Sequence, residues 1–332
     1  MSEKQDSFPP PRFDWWQALI RVLASIEAVR DGRAWYVLLG TFSAAGLLAA
    51  GAQAAFGRAQ LNWAIAQGAC ALFVAFYGAS AAGLLLMDRA MGLPVREMDQ
   101  AVRDALGIGH RVLVALTVVA LGLGVIVAGL LGLYWASGLP KVGPWLFALV
   151  VPSTVVVIGL VLMAGLAVIA PLTGPTVWAG ASSWQAVRTL VRLIRERLLQ
   201  AGVLVAGLSL ATGLVGAVAS AFVVVGGRVM AEASILMIGV EVPPQVLMAG
   251  LFGYGLKNIS AAGIPVSAYP YITAATIGGG VVFAIALIMP TLVYLRGVCE
   301  IYLALMAADR FEARQQTALQ ADLAHESRKA QP

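Results

Sequence analysis

Arg296 and Glu300 lie four residues apart, a spacing that puts both on one face of a helix. They stand just past the last long apolar stretch of the chain. Proton- and ion-coupled transport relies on acids held within the membrane, and this pair is the nearest candidate for such work. Its plainer reading is an i,i+4 ion pair on the surface of a continuing helix. Asp88 beside Arg89 ends an earlier apolar stretch and reads as an interface anchor. Other chemistry is scarce. His110 and His325 are the only histidines, both outside the apolar stretches, which excludes a histidine-rich metal site. Gly278-Gly279-Gly280 lies inside an apolar stretch and follows no strand, so it reads as a close contact or a bend, not a phosphate loop. Cys70 and Cys299 give no disulfide framework and read as buried small hydrophobes. No catalytic, cofactor-binding or metal-ligating residue is assigned, and no enzyme activity is expected.

The elements that must position these residues are apolar helices. Residues 34–56, 61–87, 112–136, 145–170, 200–225 and 272–294 contain no Asp, Glu, Lys or Arg. A spanning helix needs about 20 apolar residues, and one Lys or Arg at its centre costs roughly 2.5–3.5 kcal/mol. Composition agrees: 60% of residues are apolar and 12% charged, against about 25% charged in a soluble domain. A soluble all-α core would show charged helix faces, and these stretches have none. The fold class is all-α: a polytopic membrane bundle of six transmembrane helices in a single membrane domain over 1–332. Polar residues inside the stretches are isolated: Gln53, Asn62, Gln67, Tyr77, Thr117, Ser153, Thr154, Thr212 and Thr276.

Charge placement gives an orientation. The N-terminal segment, the 88–111 and 171–199 connections and the C-terminal tail together hold 17 Lys and Arg. The alternate connections hold only Arg58, Lys141, Arg228 and Lys257. The positive-inside rule then puts both termini in the cytoplasm. The net charge of +5 is topological, with some attraction to anionic lipid. No basic surface is interleaved with stacking aromatics, so no nucleic-acid partner is expected. The first apolar run begins too late and is too long for a cleaved signal peptide.

Three segments share a Gln-Ala core: Trp16-Gln17-Ala18-Leu19, Asp99-Gln100-Ala101-Val102 and Trp184-Gln185-Ala186-Val187. Trp16, Leu19, Leu23 and Ile26 match Trp184, Val187, Val191 and Ile194, an apolar stripe at helical spacing. The second copy carries Val95, Met98, Val102 and Leu106. Each unit therefore reads as an amphipathic elbow helix followed by a transmembrane hairpin, over 12–87, 94–170 and 179–306. Two spans per unit make the repeats parallel. The elbows are expected in the cytoplasmic interface, with Trp15, Trp16, Trp178 and Trp184 at headgroup level.

Small residues recur every four positions at Gly78 and Ala82, at Ala120, Gly124, Ala128 and Gly132, and at Ser209, Gly213 and Ala217. Such rows let helices approach closely in lipid, within the chain or along a homodimer seam. Between the fifth and sixth spans, 226–271 forms a long extracytoplasmic segment that is apolar for a loop. Val242-Pro243-Pro244 opens a short helix there, with Leu247, Leu251 and Phe252 as the candidate partner or lid surface. A cytoplasmic tail follows over 307–332.

Ala170-Pro171, then Ser183-Trp184-Gln185-Ala186-Val187-Arg188 before a span, resembles a bacterial group of six-span membrane proteins. Tyr294-Leu295-Arg296 through Ile301-Tyr302-Leu303 is similar to the last helix of that group. The group includes the membrane domain attached to some glycerophosphoryl diester phosphodiesterases. The resemblance implies an inner-membrane helical bundle with no catalytic site of its own, and the phosphodiesterase activity is not expected to carry over.

The expected function is a non-enzymatic scaffold or accessory subunit of a membrane complex in a bacterial inner membrane. Its partners would be the lipid bilayer and a membrane protein docking on 226–271, and it needs no cofactor. The alternative is a transporter or lipid-handling protein for a neutral or amphipathic substrate, with a cavity lined by Gln53, Gln67, Tyr77, Ser153 and Thr154.

Overall fold

A computed structural model describes residues 13–139, 143–238, 281–282 and 285–309. Within these residues the chain is all-helical. The helices are α1 (Trp15–Ala24), α2 (Gly32–Gly57), α3 (Leu61–Ala90), α4 (Met98–Ala136), α5 (Gly143–Ala164), α6 (Ala170–Trp178), α7 (Ser183–Glu196), α8 (Leu198–Ile238) and α9 (Ile285–Asp309). A 3-10 turn, Ser25–Arg30, leads from α1 towards α2, and a π-turn, Gly165–Ile169, joins α5 to α6. Six helical stretches are long and apolar enough to cross a membrane: α2, α3, α4, the α5–α6 rod, α8 and α9.

Their bounds differ from the charge-free windows for physical reasons. A helix continues for as long as its backbone bonds close, regardless of where the charges begin. Thus α4 starts at Met98, and the expected second elbow and its span are one rod of 39 residues. The α5–α6 rod runs past Pro171 and Pro175 because the wider π-turn precedes the first proline. The Thr173 and Thr176 hydroxyls donate to the Ile169 and Leu172 carbonyls (2.5 and 2.6 Å) in the same stretch. Helix α8 runs 41 residues, absorbing the first part of the expected 226–271 segment. Leu247, Leu251, Phe252 and Thr276 lie outside the described residues, as do Gly278-Gly279-Gly280 and the tail from 310 onward.

The Gln of each Gln-Ala segment takes the same position in its helix, although Glu97, unlike Asp14 and Ser182, makes no side-chain cap bond. Asp14, Glu97 and Ser182 are the N-caps of α1, α4 and α7, so Gln17, Gln100 and Gln185 each occupy the third helical position. The following Ala18, Ala101 and Ala186 are all buried. Asp14 accepts from the Gln17 backbone N–H (3.0 Å), and Ser182 with Gln185 closes a reciprocal capping box. The face that packs inward is Ala18 and Val22 on α1 and Ser25 of the 3-10 turn, with Ala101 and Ala105 on α4 and Ala186 and Leu190 on α7. The apolar stripe itself points out of the chain at Trp16, Leu23, Ile26, Met98, Val102, Leu106, Trp184 and Val191; only Val187 of its members is buried. Trp15 is exposed too, but Trp178 is buried, which removes it from the expected row of headgroup-level tryptophans.

The core sits at one end of the bundle. Helix α3 is buried on every side from Ser80 to Asp88, and Leu84, Leu85, Leu86 and Met87 pack against Leu172, Leu190, Leu193, Leu204, Leu208, Ile288 and Leu292. Glycines make the approach possible. A Cβ at Gly78 would overlap Thr41 of α2, one at Gly83 would overlap the Trp178 ring, and one at Gly297 would overlap Leu208 of α8. The opposite halves of α4, α5 and α8 pack little and expose Leu121, Val125, Trp145, Leu149, Leu210 and Phe222.

Candidate functional site

The tightly packed end carries the ionic groups, and helix termini place them. Helix α3 closes with Gly92 in the left-handed region (φ 70°). The Gly92 N–H donates to the Arg89 carbonyl and the Leu93 N–H to the Asp88 carbonyl, at 3.2 and 2.9 Å. That pairing is a Schellman motif, which reverses the chain sharply and leaves Asp88 facing the returning strand of backbone. Gly180 (φ 96°) closes α6 with the same two bonds, Gly180 to Val177 and Ala181 to Thr176.

Arg96 returns on that turn and is the hub of the first ionic group. Its Nε and Nη2 donate to the two Asp88 carboxylate oxygens, each at 2.7 Å, and its Nη1 to Asp104 at 2.9 Å. Asp88 is buried and Arg96 largely so, which makes this fork the least hydrated charge pair of the turn. The hydrogen bonds to Asp88 hold the Arg96 guanidinium above its ordinary pKa. Arg33, at the start of α2, donates to the Val95 carbonyl at 2.9 Å. Arg89 reaches the buried Asp31, between the 3-10 turn and α2, at 2.7 Å. The α3–α4 connection is therefore held from both sides.

A second group joins α7 and α8 to the end of α9. Asp309 accepts from Arg197 at 2.9 Å and pairs with Arg192 at 3.1 Å. The third is the pair singled out in the sequence. Arg296 and Glu300 meet at 2.7 Å, and Arg296 also donates to the Leu86 carbonyl of α3 at 3.1 Å. With side chains only 20% and 15% exposed, the pair joins α9 to α3 inside the rim of the bundle. It is not the freely solvated surface pair that the i,i+4 spacing alone implies.

Beside it lies a cavity of about 320 Å³, lined by Arg21, Arg30, Arg89 and Arg296 with Glu27 and Glu300, over a floor of Ala24, Ala28 and Leu86. A second cleft, about 540 Å³, shares Arg89 and is lined by Asp31, Gly32, Arg33 and Val95. Neither is lined by Gln53, Gln67, Tyr77, Ser153 or Thr154. Ser153 and Thr154 donate to the Leu149 and Val150 carbonyls of their own helix, and Thr117 to Leu113, each at 2.8 Å. Tyr77 stacks near Phe73 and Phe76 and sits against Gly109. Among the described residues no cluster of three His, Cys, Asp or Glu could hold a metal ion.

The small-residue rows divide. Gly78 and Ala82 lie inside the bundle, whereas Ala120, Gly124, Ala128, Gly132, Ser209, Gly213 and Ala217 are exposed. A Cβ built at Gly124, Gly132 or Gly213 meets nothing within 4 Å. These outward rows do not pack against the described residues of their own chain. Cys299 is buried as expected, but Cys70 is exposed.

Asp31, Arg96, Asp104, Arg197 and Asp309 were not expected at the site. Besides Arg296 with Glu300, Asp88-Arg89 is the signal the sequence shows, and a second arginine eight residues after that acid could have completed it. Compared with models of known families, with characterised proteins and with solved structures, the chain matches none.

Proposed function

We propose that this chain is a non-enzymatic integral membrane protein that serves as a scaffold or accessory subunit, docking a partner at the end of the bundle opposite the ionic groups. The observation that carries the reading is the length of α8. Its 41 residues extend roughly 60 Å at about 1.5 Å per residue, whereas a bilayer with its headgroups is about 40–45 Å thick. Its far end still exposes Ile235, Leu236 and Met237 among the described residues. Apolar surface carried beyond the hydrocarbon is held there at a cost unless something covers it. The outward rows on α4 and α8 support the same reading, since small residues are where a second helix can approach closely in lipid.

The architecture we propose is three parallel repeats, each opened by a helix with a third-position Gln followed by a buried Ala. The exposed stripe on α1 and α7 supports an interfacial placement for these two helices. The three ionic groups, gathered at the ends of the basic connections, support placing that end in the cytoplasm of a bacterial cell, at its inner membrane. Reporter fusions after Ala59 and Gly138 should then read outside, and those after Met91 and Gly180 inside. One inverted result removes the orientation.

Docking has its own test. Charged substitutions at Leu236 and Met237, and at Leu247, Leu251 and Phe252 beyond them, should release a co-purifying membrane protein while the bundle stays folded. A Lys or Asp placed in an apolar contact loses hydration without gaining a partner. The second reading, passage of a neutral or amphipathic substrate, draws on the half-buried Gln67 and Tyr77 of α3. It predicts altered flux in vesicles with association unchanged. If neither association nor flux responds, both readings fail.

A further inference from the structure

The cavity beside Arg296 has an unbalanced lining. Four arginines, Arg21, Arg30, Arg89 and Arg296, face two glutamates, Glu27 and Glu300, which leaves a net charge of +2. Two of the four guanidinium groups are committed: Arg296 to Glu300 and Arg89 to Asp31, each at 2.7 Å. Arg21 and Arg30 make no hydrogen bond or ion pair with the described residues, although Arg21 lies near enough to Glu300 to attract it electrostatically. They project from α1 and from the 3-10 turn, on the same segment whose Trp16, Leu23 and Ile26 are exposed. Apolar side chains on that segment fix the depth at which it would meet a bilayer, and that depth is the headgroup layer.

The geometry points to this cavity as a binding site for a phosphate-bearing anion, supplied by a lipid headgroup or by a soluble phosphate ester. Guanidinium is suited to the role because its planar fork meets two phosphate oxygens at once and it stays charged at any working pH. The volume of about 320 Å³ is at the lower end of small-ligand sites, enough for a phosphate with a short polyol rather than a nucleotide. Glu27 and Glu300 hold the lining to a net +2, which a single phosphate can balance as a diester or a monoester. Arg89, shared with the second cleft, carries the positive lining further along the same face. The lipid arm rests on the membrane reading of the chain but not on the scaffold reading. Headgroup discrimination can be lost while a protein partner is retained, and the reverse.

The test is native mass spectrometry of the full chain in detergent, titrated with phosphatidylglycerol, phosphatidylcholine and glycerol 1-phosphate. Phosphatidylglycerol or glycerol 1-phosphate should bind in preference to phosphatidylcholine, and added salt should weaken it. The Arg21→Gln/Arg30→Gln double variant removes two exposed charges that make no ion pair with the described residues, and it should fold normally. It should bind roughly 30-fold more weakly, because each arginine near an anionic group contributes about fivefold. Glu27→Gln should bind several-fold more tightly. Binding of phosphatidylglycerol alone identifies the headgroup as the source, and equal binding of glycerol 1-phosphate identifies the soluble ester. Equal retention of phosphatidylcholine and phosphatidylglycerol with no binding of glycerol 1-phosphate overturns the site, as does wild-type affinity in the double variant.

Discussion

Replacing Arg96 by Ala should destabilise the folded chain by about 3–5 kcal/mol, the range found when one partner of a buried ion pair is removed. The cost arises at Asp88. Its two oxygens each accept from Arg96 at 2.7 Å, and its side chain is only 5% exposed. Without the guanidinium, that carboxylate keeps only the backbone N–H of residue 96, at 3.4 Å, and must stay ionised without a counter-charge, take up a proton, or draw water into a packed turn. Each route carries a penalty of several kcal/mol. Arg96→Lys should recover only part of the loss, because an ammonium cannot serve both Asp88 oxygens and Asp104 from one fork. Asp104→Ala provides the internal comparison. Its side chain is 41% exposed, so losing it should cost about 1 kcal/mol or less. Thermal unfolding of the full chain in lipid particles reads all three. Equal losses for Arg96→Ala and Asp104→Ala would show that burial of Asp88 contributes nothing.

The contrast between these aspartates explains what the sequence could and could not disclose. Long apolar helices are legible because the hydrocarbon imposes one constraint on some twenty consecutive residues, and its violation is costly at each. The windows at 34–56 and 61–87 accordingly fall within three residues of the α2 and α3 bounds. Helix ends are less legible where charge and backbone geometry part company. Arg103 and Arg111 sit within α4, and counting charges places a boundary where the hydrogen-bond ladder continues. The ionic end was legible only in fragments. Arg296 with Glu300 is a local pair, visible from spacing. Arg197 with Asp309 spans 112 residues and has no local trace. Arg96 reaches Asp88 only because Gly92 turns the chain back, and the consequence of that glycine is tertiary.

The small-residue rows make the same point from the side of packing. Spacing identified Gly78, Gly124 and Gly213 alike, yet only Gly78 approaches another helix of this chain. A four-residue period states that a face is thin and is silent about what lies opposite it. Gly83, four residues after Ala79, fits that pattern and Gly297 fits it less clearly, yet both stand at contacts comparably close to that of Gly78. Their role follows from Trp178 and Leu208, which the fold brings from distant helices.

Gly297→Ala should therefore lower stability even though alanine is the better helix former. Within a helix, Gly→Ala ordinarily gains about 1 kcal/mol, so an unobstructed site would be stabilised. At Gly297 the added Cβ would overlap Leu208, which is fully buried and has little room to change rotamer. Overpacking of this kind costs about 1–3 kcal/mol, enough to cancel the propensity gain or exceed it. Gly297→Leu should be worse, and failure to fold is an acceptable outcome for it. Gly124→Ala is the matched control. Nothing lies within 4 Å of its Cβ, so within a single chain it should be neutral or stabilising. The decisive measurement is a double-mutant cycle. Leu208→Ala alone opens a cavity and should cost about 2–5 kcal/mol. Combined with Gly297→Ala, it removes the side chain that the new methyl would strike, so the double variant should be more stable than the sum of the singles. Coupling between contacting residues is typically about 0.5–3 kcal/mol. Strict additivity would mean that α8 and α9 do not need the glycine to approach, and the close packing that joins Arg296 to α3 would then require another cause.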